Sequence, residues 1–181
     1  MGKVKEPNPA KLFVSLIASV DAILHQGIED LRIAFGEIDF ISERLLFNFT
    51  DYYTQEMGGD LFRRFITFES LISIPLLPEI KWTTNRLEEK YSTSVGNRRI
   101  NMDPGYLCLD HVILATTKGF THRPYLREGI YADLTFIYRN KSSQPLEWTY
   151  PDYRQKDVIR LFNQFRKKYL EDLKGRSTHP C

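Results

Sequence analysis

Lys11-Leu12-Phe13-Val14-Ser15-Leu16-Ile17-Ala18 runs straight into Ser19-Val20-Asp21, and apolar residues recur at Val20, Ile23, Leu24, Ile28, Leu31, Ala34 and Phe35. The first stretch is a nearly unbroken apolar run, the mark of a strand covered on both faces. The later positions repeat at helical spacing and make one apolar stripe. Ser19 suits an N-cap, and Asp21 suits the first turn, where the helix dipole favours a carboxylate. Gly36 stands where a helix commonly ends in a left-handed residue. A strand feeding a helix therefore opens the fold.

Reading outward, Ile38, Phe40, Leu45, Phe47 and Phe49 alternate with polar residues and predict a second strand. Met57-Gly58-Gly59-Asp60 is turn chemistry, and Phe62 to Phe68 reads as the returning strand. Pro78 opens a second helix at its first position, with Ile80, Thr84, Leu87 and Tyr91 as its stripe and charges on the opposite face. A polar loop at 92–97 leads to a strand from Arg99 to Asp103, which Pro104-Gly105 is expected to break. The order β-α-β-β-α-β predicts a ferredoxin-like core. Leu107 to Ala115 fits a helix or a strand equally. Gly129 to Arg139 alternates as a strand, residues 140–145 read as a loop, and Leu146 to Tyr150 as the return limb of a hairpin. Pro151-Asp152 then starts a terminal helix with Val158, Leu161, Phe162, Phe165, Tyr169 and Leu173 on one side. The expected class is α+β: a ferredoxin-like βαββαβ core with an added C-terminal β-hairpin and terminal helix. It forms one domain over 1–181, with flexible tails at 1–9 and 175–181.

Composition narrows the function classes. With 42% apolar and 27% charged residues in 181, the chain has enough material for one globular core. Its 25 basic and 23 acidic residues leave a net charge of +2, too balanced to point to nucleic acid. The N-terminal stretch is polar and holds Pro7 and Pro9, unlike a signal peptide, and Glu6 stands where a myristoylation signal needs Ser or Thr. The longest uncharged run, Leu71 to Pro78, is far short of a bilayer span, so no membrane association is expected. Two cysteines, Cys108 and Cys181, suggest no disulfide framework, and a cytoplasmic location fits. His25, His111, His122 and His179 are scattered without zinc spacing, so no metal site is predicted. GxxxxGK[ST], GxGxxG, GxSxG and HExxH are all missing, which disfavours the chemistries they serve and points to no particular cofactor.

Chemistry-bearing residues concentrate between Arg98 and Arg154. Asp103-Pro-Gly-Tyr106, Thr116-Thr-Lys118, Thr121-His-Arg123, Tyr131-Ala-Asp133 and Tyr150-Pro-Asp-Tyr-Arg154 together offer cations, carboxylates, phenols and an imidazole. Lys118, Arg123 and Arg154 suit a phosphate or carboxylate clamp. His122 is the candidate acid or base; Asp103, Asp133 or Asp152 suits orienting a ribose hydroxyl, holding a metal or accepting a proton, and Asp133 is counted with His122 as catalytic. Asp103, Tyr106, Tyr131 and Asp152 complete the candidate ligand set. Plainer roles exist for several: a turn at Asp103-Pro-Gly-Tyr106, an N-cap at Asp152, a core position for His111. The basic residues of the last helix read as a solvated face or as a phosphate-contacting face, and Phe65 and Phe68 as core rather than a base-stacking platform.

Taken in order, Asn101-Met-Asp-Pro-Gly-Tyr106, Leu114-Ala-Thr-Thr-Lys118, His122-Arg123, Gly129-Ile-Tyr-Ala-Asp133 and Tyr150-Pro-Asp-Tyr-Arg154 resemble the signature of a prokaryotic family, domain-of-unknown-function family 4416. The resemblance spans nearly the whole chain. It implies a small free-standing protein and brings no reaction with it; the label "GTP-binding protein" carried by some members finds no phosphate loop here. The function expected from the residues is binding of a phosphorylated or nucleotide-like anion, in a groove at the sheet edge. An RNA-binding accessory protein using the basic last helix and a non-catalytic interaction protein are the alternatives.

Overall fold

The computed structural model describes residues 2–49 and 53–177. Its elements are β1 (Ala10–Ala18), α1 (Asp21–Phe35), β2 (Ile38–Ile41), β3 (Leu45–Leu46), α2 (Thr54–Met57), β4 (Phe62–Ile72), α3 (Leu77–Lys90), β5 (Ile100–Leu107), β6 (His111–Thr116), β7 (Tyr125–Arg127), β8 (Ile130–Arg139), β9 (Ser142–Pro145) and α4 (Lys156–Ser177). The class is mixed α+β. One antiparallel sheet carries all nine strands in the order β2-β4-β1-β5-β6-β8-β7, with β3 on β4 and β9 on β8.

The alternation of β1 sorts the core into two layers. Leu12, Val14, Leu16 and Ala18 pack with Ile23, Leu24, Ile28 and Leu31 of α1 and Ile80 of α3. Phe13 faces the other way, into Phe65, Phe136 and the α4 residues Val158, Phe162, Phe165 and Tyr169. Helices therefore cover both faces, as the continuous apolar run of β1 requires. Gly27 lets α1 lie close on β5, since a methyl there would come within 2.7 Å of Ile100 and 2.8 Å of Met102.

Several local expectations are corrected. Val20, not Ser19, is the N-cap of α1, and the Ser19 hydroxyl donates to the Met57 carbonyl instead. Gly36 does end α1, at φ 95, donating to the Arg32 carbonyl. β5 continues through Pro104-Gly105 to Leu107, so Asp103-Pro-Gly-Tyr106 is strand and not a turn. His111–Thr116 is strand, which decides the ambiguous stretch. Asn140 and Lys141, both at positive φ, form a two-residue turn, so β9 begins at Ser142 and residues 146–150 belong to no strand. The terminal helix starts at Lys156 and runs through Ser177, past the expected start of the tail; the rest of that tail lies outside the described residues. No helix among them is long and apolar enough to cross a membrane.

Candidate functional site

The site follows from an incomplete seam in the sheet. β5 and β6 pair only over Gly105–Leu107 with Val112–Leu114. Gly105 permits this closest approach: a methyl there would come within 2.4 Å of the Ile113 carbonyl oxygen and 2.5 Å of the Phe13 ring. Before Gly105, β5 pairs with β1 alone. Backbone groups on that bare side need other partners. Pro104 has no N–H to satisfy. The Met102 N–H donates to Glu88 Oε1 at 2.7 Å, and its carbonyl accepts from Lys81 Nζ at 3.2 Å. Lys81 and Glu88, two turns apart on one side of α3, thus take the place of the missing strand.

Where the strands part, a cavity of about 640 Å³ opens. Lys81, Asn85 and Glu88 of α3 form one side, and Asn101 and Asp103 of β5 a second. Thr116, Thr117, Lys118 and Asp133 lie across the seam, and Arg63, Tyr150, Asp152 and Tyr153 close another wall. Phe47, Phe49 and Tyr53 supply an aromatic wall near Arg63 and Arg98. The cavity therefore lies inside the sheet, between β5 and β6, and not at either end of the strand order, β2 or β7.

Two carboxylates of this cavity are shifted in opposite directions. Asp103 accepts from Lys81 Nζ at 3.0 Å and Asn101 Nδ2 at 2.6 Å. Burial works to raise its pKa, but Lys81, Asn101 and Arg63 outweigh burial and hold the group below the ordinary carboxylate value. Among the described residues the Glu88 carboxylate has only the Met102 N–H at hydrogen-bond distance, and Arg98 stands 3.6 Å from its other oxygen. Burial, with Asp103 adding repulsion, lifts its pKa to about 7 against the pull of Lys81 and Arg98. Arg98 is itself clamped by Glu56 at 2.7 Å and donates to Asn101 Oδ1 at 3.2 Å. Arg63 pairs with Asp152, both nearly buried, and lies over the rings of Phe47 and Tyr153.

Across the seam, Asp133 is 2% exposed and accepts from Arg123 Nε at 2.7 Å. Its other oxygen, Oδ1, is buried without a hydrogen-bond partner. Arg123 also donates to the Lys118 carbonyl at 3.2 Å and to the Tyr150 hydroxyl at 2.7 Å. His122 Nε2 stands 3.6 Å from Asp133 Oδ2, and the ring stacks on Trp148 at 4.9 Å. Lys118, His122, Arg123, Asp133 and Tyr150 are thus gathered as one cluster, with Lys118, Asp133 and Tyr150 reaching the cavity that Asp103 and Asp152 also line.

Other candidates lie elsewhere. Tyr106 packs on the far face with Leu77 and Ile113, its hydroxyl 3.4 Å from His111 Nε2, and burial pushes its pKa up to about 12. Tyr131 stacks edge-on with Tyr125 beside Gly119, outside the cavity lining. Arg154 donates to the carbonyls of Thr149 and Glu147 and fastens that loop, so it is not with the other cations. Asp152 does not cap α4; its carboxylate is taken by Arg63. Phe65 and Phe68 are fully buried core residues. On α4, Arg160 pairs with Asp157, Arg166 donates to the Leu109 carbonyl over the Tyr138 ring, and Lys168 meets Asp39 and Asp172.

The sequence reading missed Arg63, Lys81, Glu88 and Arg98. A signal existed for two: Lys81 and Glu88 share a helical side with Thr84, so charge interrupts what is a buried stripe, at 5% and 6% exposure. Arg63 and Arg98 carried none, because their partners Asp152 and Glu56 lie 89 and 42 residues away. No group of three or more His, Cys, Asp or Glu among the described residues is placed to hold a metal ion.

Comparison with known proteins places the chain without supplying chemistry. No curated protein and no solved structure matches it. A family model described as "Domain of unknown function (DUF4416)" matches residues 8–169, nearly the whole described fold and all of the cavity lining. The chain belongs to the DUF4416 family.

Proposed function

We propose that the seam cavity binds a small phosphorylated, nucleotide-like ligand. The observation that carries this reading is the lining itself: Arg63, Lys81, Arg98 and Lys118 share one cavity of nucleotide size with Asp103, Asp133 and an aromatic wall. Arginine and lysine are the side chains that suit phosphate oxygens, and carboxylates suit sugar hydroxyls. Arg123 holds Asp133 Oδ2, and the pKa values of Asp103 and Glu88 are pushed apart, downward and upward, as an acid–base pair requires. The cavity's volume of about 640 Å³ speaks for a ligand rather than a purely docking role, and the engagement of Arg160, Arg166 and Lys168 on α4 weighs against an RNA face. The segment from β1 to β5 is read as a ferredoxin-like unit; its strand order β2-β4-β1-β5 and the helices α1 and α3 on one face support that reading.

A thermal-shift screen of nucleotides and sugar phosphates tests the proposal. A ligand at about 100 times its Kd stabilises by roughly 2.7 kcal/mol, which raises Tm by about 5–10 °C for a chain of this size. If no member of either class moves Tm, or if Lys81→Met and Arg98→Met shift as the parent does, the cavity is not such a site.

A further inference from the structure

The charges of the cavity constrain what occupies it. Among the described residues four cations line it, Arg63, Lys81, Arg98 and Lys118, against five carboxylates, Glu56, Glu88, Asp103, Asp133 and Asp152. The acids are not spare. Arg63 is spent on Asp152, Lys81 on Asp103, and Arg98 on Glu56. An inorganic oxyanion entering this balance finds Arg63, Lys81 and Arg98 already answered by carboxylates, and it meets acidic groups that repel it. Two carboxylates are left short of donors. Asp133 Oδ1 is buried with no partner, and among the described residues Glu88 has one side-chain hydrogen bond, from the Met102 N–H, with Arg98 3.6 Å from its other oxygen. A buried acceptor without a donor is costly, so the arrangement favours an occupant that brings one.

Resting on the reading of the cavity as a phosphate-ligand site, we infer that its ligand is a hydroxyl-bearing phosphate ester, of the sugar-phosphate or nucleotide class, with a hydroxyl donated to Asp133, and that free inorganic phosphate and pyrophosphate are rejected. The two halves of such a molecule answer the two halves of the lining. Its phosphate takes the outward N–H groups of the cations, and its hydroxyls supply the donors that Asp133 and Glu88 lack. The aromatic wall of Phe47, Phe49 and Tyr53 gives a ring or base a face to lie on. Arg123 fixes the geometry, since its Nε holds Asp133 Oδ2 and its terminal nitrogen holds Tyr150; Oδ1 is itself covered, so the ligand hydroxyl reaches it as the cavity wall gives way around it.

The experiment is a calorimetric titration of the full chain at fixed salt with inorganic phosphate, pyrophosphate, ribose 5-phosphate and adenosine monophosphate. Wild type is expected to bind at least one of the two esters ten- to a hundredfold more tightly than either inorganic anion, the worth of one hydrogen bond to a charged acceptor. Asp133→Asn keeps an acceptor for Arg123 and replaces the other oxygen with a donor; it should cut that preference to about threefold or less while leaving the inorganic anions unchanged or slightly tighter. Inorganic phosphate or pyrophosphate binding as tightly as both esters to wild type overturns the inference while sparing the parent reading, and so does a preference that survives Asp133→Asn. Binding of none of the four overturns both. The wild-type series decides the matter even where Asp133→Asn fails to fold.

Discussion

Glu88→Gln tests the electrostatics of the cavity most directly. Glu88 is 8% exposed at its side chain and faces Lys81, Asp103, Arg98 and the Met102 N–H. Its pKa rises from the ordinary 4.5 to about 7. For a carboxylate raised in the folded state, the neutral form is the stable one. Its contribution is complete below the unfolded pKa and is lost as pH climbs through the folded value. At about 1.4 kcal/mol per pH unit, the wild type forfeits roughly 3 kcal/mol between pH 4.5 and 8 through this group. Glutamine keeps an acceptor for Met102 and cannot ionise. Urea unfolding of both proteins, followed by far-ultraviolet circular dichroism at half-unit steps from pH 5 to 8.5, should show nearly equal stability at the acid end and a variant stronger by up to about 3 kcal/mol at the alkaline end. A difference between the two proteins that stays constant across the range refutes the assignment.

Other outcomes follow from the packing. Gly105→Ala drives a methyl into the Ile113 carbonyl and the Phe13 ring and should cost about 2–3 kcal/mol by urea unfolding. Asp152→Ala leaves Arg63 charged and nearly buried without its partner; a loss of about 3–5 kcal/mol is expected in the same assay. Lys11 is fully buried between Asp39 and Asp172, and Lys11→Met should cost a similar amount. Burial works against ionising Asp39, but Lys11, Thr67 and Lys168 outweigh it and lower the pKa. Its stabilising share is therefore present above about pH 4 and fades as pH falls through the folded value. Lys11→Met should accordingly show a shallower acid limb in its stability curve than wild type.

The local legibility of the chain had a physical boundary. β1, α1 and the Gly36 stop were readable because period and capping are short-range properties, expressed within a few residues. Asp103-Pro-Gly-Tyr106 misled because proline and glycine usually mark turns; here Pro104 sits where β5 has no neighbour to receive an N–H, and Gly105 where two chains nearly touch. The same tertiary logic hid half of the cavity. Lys118, Arg123 and Asp133 stood out through their chemistry in a short stretch, whereas Arg63 and Arg98 acquire meaning only once partners remote in sequence fold beside them. Arg154 and Tyr106 show the converse, since proximity in sequence to the cluster did not bring them into it.

An uncovered stretch of strand is ordinarily an invitation to foreign chains, because its amide and carbonyl groups offer a template for another strand to add. In β5 that invitation is withdrawn from within: a lysine and a glutamate of α3 occupy the very groups of Met102 that an intruding backbone would seek. The gap is thereby kept from zipping shut against β6 and from recruiting a stranger, and a hollow that would otherwise be a liability for aggregation persists as permanent architecture.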